Sequence, residues 1–219
     1  MSSNSNSQNA TGIPTLYYRP GACALAPHIV LHWVGVAHVS KRAERNDPDL
    51  LAINPSGAVP ALRTADGRGL TQAAAIMQHI ALTADRADLL GHGDAAHRDE
   101  VATWLAFFTG DFHPSFWPYF APMQYIDADG SELHPAVIRA AHKLIGRGLA
   151  TLDAHLNGRD QFVGGTKTVV DAYAVPMLRW AKRIAEVDFP SYRQVDRFYR
   201  SMADDAGVRS AMAEQGISA

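Results

Sequence analysis

The chain carries a single cysteine, Cys23, among its 219 residues. One thiol cannot close an internal disulfide, so the fold draws nothing from an oxidising compartment and the thiol is free to react. No apolar run approaches the roughly 18 to 20 residues that cross a bilayer, and the first residues lack a basic stretch followed by an apolar one. A soluble, cytoplasmic protein with no membrane partner is therefore expected. Positive charge is not in excess either: 20 Lys and Arg stand against 22 Asp and Glu, scattered rather than gathered into a stripe. That balance argues against nucleic acid as a partner. No internal repeat is visible. Apolar material is plentiful at 47% of residues, enough for a well-buried core in one large domain or two small ones.

Residues 1–13 open on a small, polar run from Met1 to Thr11 with no apolar period, which predicts a disordered tail. From Pro14 the pattern becomes mixed. The spacing predicts a strand at 15–19, a helix at about 24–35, a strand near 38–43 and a helical turn near Asp47 to Leu51. A strand follows at about 60–64, then the turn Asp66-Gly67, a short strand to Leu70 and a helix from 72 to 84. This βαβαββα order over 14–84 predicts a mixed four-stranded sheet, with helix-joined strands parallel and the Asp-Gly pair antiparallel. Residues 85–94 read as a polar linker. Beyond them, in 95–219, strand signals almost vanish, and helical spacing recurs over 95–120, 134–156, 168–186, 191–203 and 205–214. The fold class is thus an α/β domain followed by an all-α bundle. By that same spacing Trp104, Trp117 and Trp180 are assigned to core packing.

Cys23 sits where the first strand hands over to the first helix. Unpaired N–H groups in a first helical turn carry partial positive charge and favour thiolate over thiol. Pro60 opens the third strand, where its missing N–H does no harm; a cis bond there would turn the backbone of Val59 outward to pair with an extended, peptide-like ligand. Thr71 reads as the cap of the following helix, and its first N–H groups as a small anion site. Thr168 and Asp171 form a capping-box variant with a structural role. A metal site is not expected. His28, His32 and His38 lie on different elements or uncertain faces, with no cysteine or carboxylate at ligand spacing.

Tyr17-Tyr18-Arg19-Pro20-Gly21-Ala22-Cys23-Ala24-Leu25-Ala26-Pro27-His28 resembles the bacterial beta class of the glutathione S-transferase superfamily. Asn54-Pro55, Ala58-Val59-Pro60, Gln72 to Ile76, Trp104-Leu105 and the Thr168 to Asp171 cap occur in the expected order and spacing, so the resemblance covers about residues 15 to 215. It implies a thioredoxin-like, glutathione-binding domain over 14–84, an all-helical domain over 95–219 carrying the electrophile pocket, and a homodimer. It implies a cis bond before Pro60, with the backbone of Val59 and Pro60 pairing with glutathione, and Gln72 and Ala73 holding the γ-glutamyl end. Cys23 matches the cysteine that lies against the glutathione sulfur and can form a mixed disulfide with it. His113 matches a histidine that faces the same sulfur. The electrophile would lie against groups such as Phe112, Phe116, Trp117 and Tyr119.

Some positions depart from the pattern. Gln72 and Ala73 stand where many members carry an acidic residue and a serine, and Pro114 stands where a lysine commonly follows the histidine, interrupting the helix. The segment Lys41 to Asp49 is short, leaving Lys41, Arg42 or Arg45 to hold the glycyl carboxylate. Each lost charged hydrogen bond costs about 1.5–3 kcal/mol. The expected function is conjugation of glutathione to small hydrophobic electrophiles, with thiol and peroxide chemistry at Cys23. The alternatives are an isomerase or dehalogenase serving one metabolite, and a binding module with weak glutathione affinity.

Overall fold

The computed structural model describes residues 12–91, 93–127 and 130–219. Most of the expected tail, residues 1–11, therefore lies outside the described residues. Four strands, β1 (Thr15–Tyr18), β2 (Val39–Arg42), β3 (Ala61–Arg63) and β4 (Gly69–Thr71), form one sheet in the order β2-β1-β3-β4. Helices α1 (Leu25–Val34), α2 (Pro48–Leu51) and α3 (Ala73–Thr83) alternate with them. The order is the thioredoxin-like one expected.

One pairing differs from expectation. β1 and β2 run parallel, but β3 runs antiparallel to β1, Tyr17 opposite Ala61. The helix before β3 is a single turn, capped by the Asp47 side chain and begun by Pro48, too short to carry the chain back across the sheet as a parallel crossover requires. Antiparallel β3 and β4 place Ala61 opposite Thr71. The turn at Val59–Pro60 and the start of α3 at Gln72 thereby share one end of the sheet.

The segment expected as a linker contains a one-turn 3₁₀ helix, Ala87–Leu90, whose Leu89 is buried. Among the described residues six α-helices follow: α4 (Ala95–Phe107), α5 (Trp117–Phe120), α6 (His134–His155), α7 (Val169–Lys182), α8 (Arg193–Ala203) and α9 (Ala206–Glu214). One apolar core runs from Leu16 and Leu62 of the sheet through α1 and α3 into α7 and α8. α1 is nearly all buried because α3, α7 and α9 pack around it, which is why its apolar residues do not fall on a single stripe.

After α4 the backbone widens into a π turn, Phe108–Phe112, closed by the bond from the His113 N–H to the Phe108 carbonyl at 2.9 Å. Pro114 has no N–H to continue the helical ladder, and a 3₁₀ turn takes over from it. The interruption expected at Pro114 is present, and the widened turn sets the direction of His113. Gly148 of α6 admits the buried Phe112 ring, since a Cβ there would overlap it.

Candidate active site

The turn from β1 into α1 is pinned from the helical half. Gly21, at φ +72°, has its N–H donated to Gln215 Oε1 at 3.0 Å, while its carbonyl accepts from Trp180 Nε1 at 2.7 Å. A Cβ at Gly21 would press on the Arg179 guanidinium. Sequence separations of 194 and 159 residues are bridged at this one glycine, so the loop that carries Cys23 is positioned by α7 and by the residue after α9.

Cys23 lies two residues ahead of α1 and donates its S–H to the Val59 carbonyl at 3.5 Å. The Val59–Pro60 bond is cis. Cys23 is a protonated thiol here, not the thiolate expected from its place ahead of a helix. Burial pushes the thiol up to about 11, outweighing backbone N–H groups at Cys23 and Ala24 and the charge of Arg19.

His113 stands against Trp180 and Trp117, ring centroids 5.1 and 5.9 Å away, with Nδ1 at 3.2 Å from the Tyr173 hydroxyl. Burial drops its pKa to about 4, so the imidazole is neutral at working pH. The Tyr173 phenol is pushed up by burial and by the neighbouring Cys23, so it stays protonated. The phenol can donate to Nδ1, and in that arrangement the His113 proton sits on Nε2.

The depressed His113 pKa has a direct consequence for stability. An unfolded chain protonates this histidine below about pH 6.5, while the folded chain resists until about 4, so between those values the unfolded state binds more protons and stability falls as pH falls. His113→Asn should remove about 2–3 kcal/mol of the wild-type loss between pH 7 and pH 4.5, by the free-energy equivalent of the shift. Urea unfolding at the two pH values checks this, and equal losses in both proteins would refute it.

Cys23 and His113 open onto a cleft of about 710 Å³. Trp117, Phe120 and Trp180 give it an aromatic wall, and Arg45 and Arg179 give it positive charge. Arg179 is buried, donates Nε to the Ser218 carbonyl at 2.7 Å, and pairs with no carboxylate among the described residues. Of the three cations on the short segment, Lys41 is held by Asp47 and Asp49 at 3.1 and 2.7 Å, and Arg42 is exposed beside Glu44. Arg45 alone reaches the cleft. Gly57, at φ +63°, lets the Arg45 backbone approach so closely that a Cβ would collide with its carbonyl, which carries Arg45 toward the Val59 turn.

Several expected residues fall elsewhere. Of the groups expected against the electrophile, Trp117 lines the cleft, joined by its neighbour Phe120; Phe112 and Phe116 are core residues at 1% and 0% exposure, and Tyr119 packs against the core. Trp180, assigned to packing by its periodicity, lines it beside Trp117 because the bundle opens here toward Cys23. Tyr17 and Tyr18 are buried, and the Tyr18 hydroxyl donates to the Glu214 carbonyl at 3.3 Å. Thr71 is the last residue of β4, and Gln72 takes the cap position of α3 with φ +70° and no side-chain cap bond. A non-glycine residue there carries about 1–3 kcal/mol of backbone strain, a cost that clusters at functional positions. Gln72 is exposed and Ala73 buried; both lie beside Val59 at the sheet end and outside the aromatic cleft. Arg179, Tyr173 and Gln215 were not found from sequence, and only the apolar helix bearing Arg179 hinted at an unusual buried charge.

The expectation that His28, His32 and His38 lie apart from any carboxylate is also overturned. The first two share a face of α1, the turn at Gly35 brings His38 back to them, and Glu214 at the end of α9 completes a group whose ligand atoms all lie within 4.8 Å of one another. A separation of 186 residues between His28 and Glu214 hides the group from any spacing search.

Residues 21–83 match the family model described as glutathione S-transferase, N-terminal domain. The chain is 41% identical over 210 residues to glutathione S-transferase GST-4.5 of Xanthomonas campestris, covering 93% of this chain and 99% of that protein. Among solved structures it is similar to a bacterial beta class glutathione S-transferase of Sphingomonas chungbukensis, with a TM-score of 0.80, 30% identity and coverage of 93% and 99%. A sphingomonad glutathione S-transferase complexed with glutathione matches with a TM-score of 0.80 and 30% identity, covering 93% of this chain and all of that one.

Proposed function

Because the chain belongs to the glutathione S-transferase family, we propose that it activates glutathione at the junction of Cys23 and Val59 and transfers it to small, flat electrophiles held in the aromatic cleft. The observation that carries this reading is the opening of the Cys23 loop, beside the cis Val59–Pro60 turn, onto a cleft walled by Trp117, Phe120 and Trp180. In this reading residues 14–84 hold glutathione and 95–219 hold the electrophile. The backbone of Val59 and Pro60 pairs with the tripeptide, the N–H groups at the start of α3 beside Gln72 and Ala73 take the γ-glutamyl carboxylate, and Arg45 takes the glycyl carboxylate.

The reaction needs the sulfur of glutathione as an anion. Its proton leaves to water, its sulfur forms the new bond to carbon, and the leaving group departs with the bonding electrons. Cys23 and His113 supply what the anion requires. The Cys23 S–H moves from the Val59 carbonyl to the incoming sulfur, and the His113 Nε2–H donates to it from the other side. A thiol held near 11 is a poor nucleophile at neutral pH and a serviceable donor, which favours this role over a mixed disulfide. The apolar, aromatic wall suits an arene that carries a leaving group, and Arg179, not engaged by glutathione in this reading, favours one that also bears a nitro or carboxylate group. We propose further a homodimer, supported by the family resemblance, in the cytoplasm, where a reduced thiol persists.

Calorimetric titration of the reduced protein with glutathione tests the reading. Binding should be micromolar to low millimolar, and Arg45→Ala should weaken it by about 10- to 100-fold, the equivalent of one charge-assisted hydrogen bond. Lys41→Ala should leave the affinity unchanged, since Lys41 is already engaged by two carboxylates. No heat at about 10 mM, beyond the ordinary range of substrate KM values, would overturn the transferase reading and leave a binding module.

A further inference from the structure

The group formed by His28, His32, His38 and Glu214 lies where α1, the turn into β2 and the end of α9 meet, and the proposed transferase chemistry does not use it as a ligand set. Its internal hydrogen bonds fix the protons of His28 and His38. Gln215 Oε1 accepts from the Gly21 N–H, which orients the amide so that its Nε2 donates to His28 Nδ1 at 3.2 Å. His28 must then carry its proton on Nε2, which donates to Glu214 Oε2 at 2.8 Å. Ser40 adds a second donor to the same oxygen at 3.1 Å. The second carboxylate oxygen, Oε1, faces the buried His32 Nε2 at 3.1 Å, and no other hydrogen-bond partner reaches that nitrogen among the described residues. His38 Nδ1 lies 2.8 Å from the Val36 carbonyl, an acceptor only, so it holds a proton and leaves the Nε2 lone pair facing Glu214 at 4.0 Å.

The Nε2 atoms of His32 and His38 and a carboxylate oxygen therefore converge on one point, and an ion bound there would displace any proton that His32 shares with Glu214. We propose that this point binds a divalent transition-metal ion, zinc foremost, through His32 Nε2, His38 Nε2 and Glu214 Oε1. His28 and Ser40 act as the outer partners that orient the carboxylate, and solvent fills the remaining position. Borderline nitrogen ligands with one carboxylate suit zinc, whose bonds of about 2.0–2.1 Å require ligand atoms a little over 3 Å apart. His32 and Glu214 already meet that spacing, and His38 Nε2, within 4.8 Å of the other ligand atoms, has to move inward to join them. The outer bonds are of the kind that hold ligating groups in metal sites. Glu214 is 43% exposed on its side chain, so the ion can enter from solvent. A bound ion would fasten the end of α9 to α1, and through the adjacent Gln215 it would steady Gly21 and the Cys23 loop.

Tag-free protein, stripped with chelator and titrated with zinc at neutral pH in the absence of glutathione, should bind one ion per chain and gain in thermal midpoint. His32→Ala and His38→Ala should each weaken binding by at least about 100-fold, and Ser40→Ala by about 10-fold, as loss of an outer partner does. Cobalt provides a readout on the unaltered protein that does not depend on how the variants fold. An intense visible band of a low-coordinate site supports the proposal, and a spectrum like that of the hydrated ion overturns it. Zinc binding retained in both histidine variants, or none in the wild type, would mean that a shared proton alone joins these groups.

Discussion

Serine at position 23 should keep the rate of glutathione conjugation within about threefold of wild type, whereas alanine should lower kcat/KM by about 10²-fold. The two substitutions separate a donor from a nucleophile. Burial pushes the thiol up to about 11, so at neutral pH it stays protonated. What Cys23 offers is its S–H, now spent on the Val59 carbonyl at 3.5 Å. A hydroxyl in the same place donates as well or better, and a methyl group does not. Loss of one donor aimed at a reacting anion costs about 10²–10³ in rate.

The pH profile adds a second discriminant. Donors to the glutathione sulfur favour its anion and lower the pH at which activity rises. Alanine removes one of them, so the rising limb should move upward by about one unit, equivalent to about 1.4 kcal/mol of lost stabilisation. In the serine variant it should stay in place. Steady-state rates with a chromogenic chloronitroarene across pH 5.5 to 9 give both numbers. Equal, complete loss in the two variants would establish Cys23 as a covalent participant and return the mixed disulfide to the front.

Local patterning carried the elements of this fold well. Each of the five helical segments expected after residue 94 contains a helix, and the mixed sheet follows from the turn residues and short periods between Pro14 and Thr71. What local pattern could not carry was pairing. The antiparallel β3 depends on α2 being one turn long, and the thiol's ionisation depends on what encloses it, not on the helix beside it. Arg45 was legible as a candidate because charge on a short segment can be seen; that it alone reaches the cleft depends on the close approach at Gly57. Arg179 and Trp180 have ordinary core spacing on α7 and become site residues only because a glycine from the other half of the chain meets them. The histidine and glutamate group is the extreme case, since three members lie within 11 residues and the fourth comes from the far end of the chain.

Asp171→Ala should be among the most destabilising single changes in the protein, lowering the free energy of unfolding by about 3–5 kcal/mol at neutral pH. The carboxylate is fully buried at the start of α7. Oδ2 accepts from the Thr168 N–H at 2.7 Å and from its hydroxyl at 2.9 Å, and Oδ1 accepts from the Phe162 N–H at 3.0 Å. Alanine leaves three buried donors without an acceptor, each worth about 1–3 kcal/mol. Part of that is offset, because burial holds the carboxyl up at about 6 and the charged form is costly to keep at pH 7. The sign is that of a raised acid: this group's contribution is full below about 3.8 and is lost as pH rises through about 6. Asp171→Asn separates the two effects. It removes the charge but sets an NH₂ against one of the donors, so it should lose about 2 kcal/mol, on the scale of one unsatisfied buried donor. α7 packs on α1, α3, α4 and α8 and carries Tyr173, Arg179 and Trp180, so a loss of this size, against a whole stability of about 5–15 kcal/mol, should disorder the cleft together with the core. Urea unfolding at fixed protein concentration, followed both by tryptophan fluorescence and by residual activity, should show the two signals fading together; activity lost at full stability would mean instead that the capping box positions the site without holding the fold.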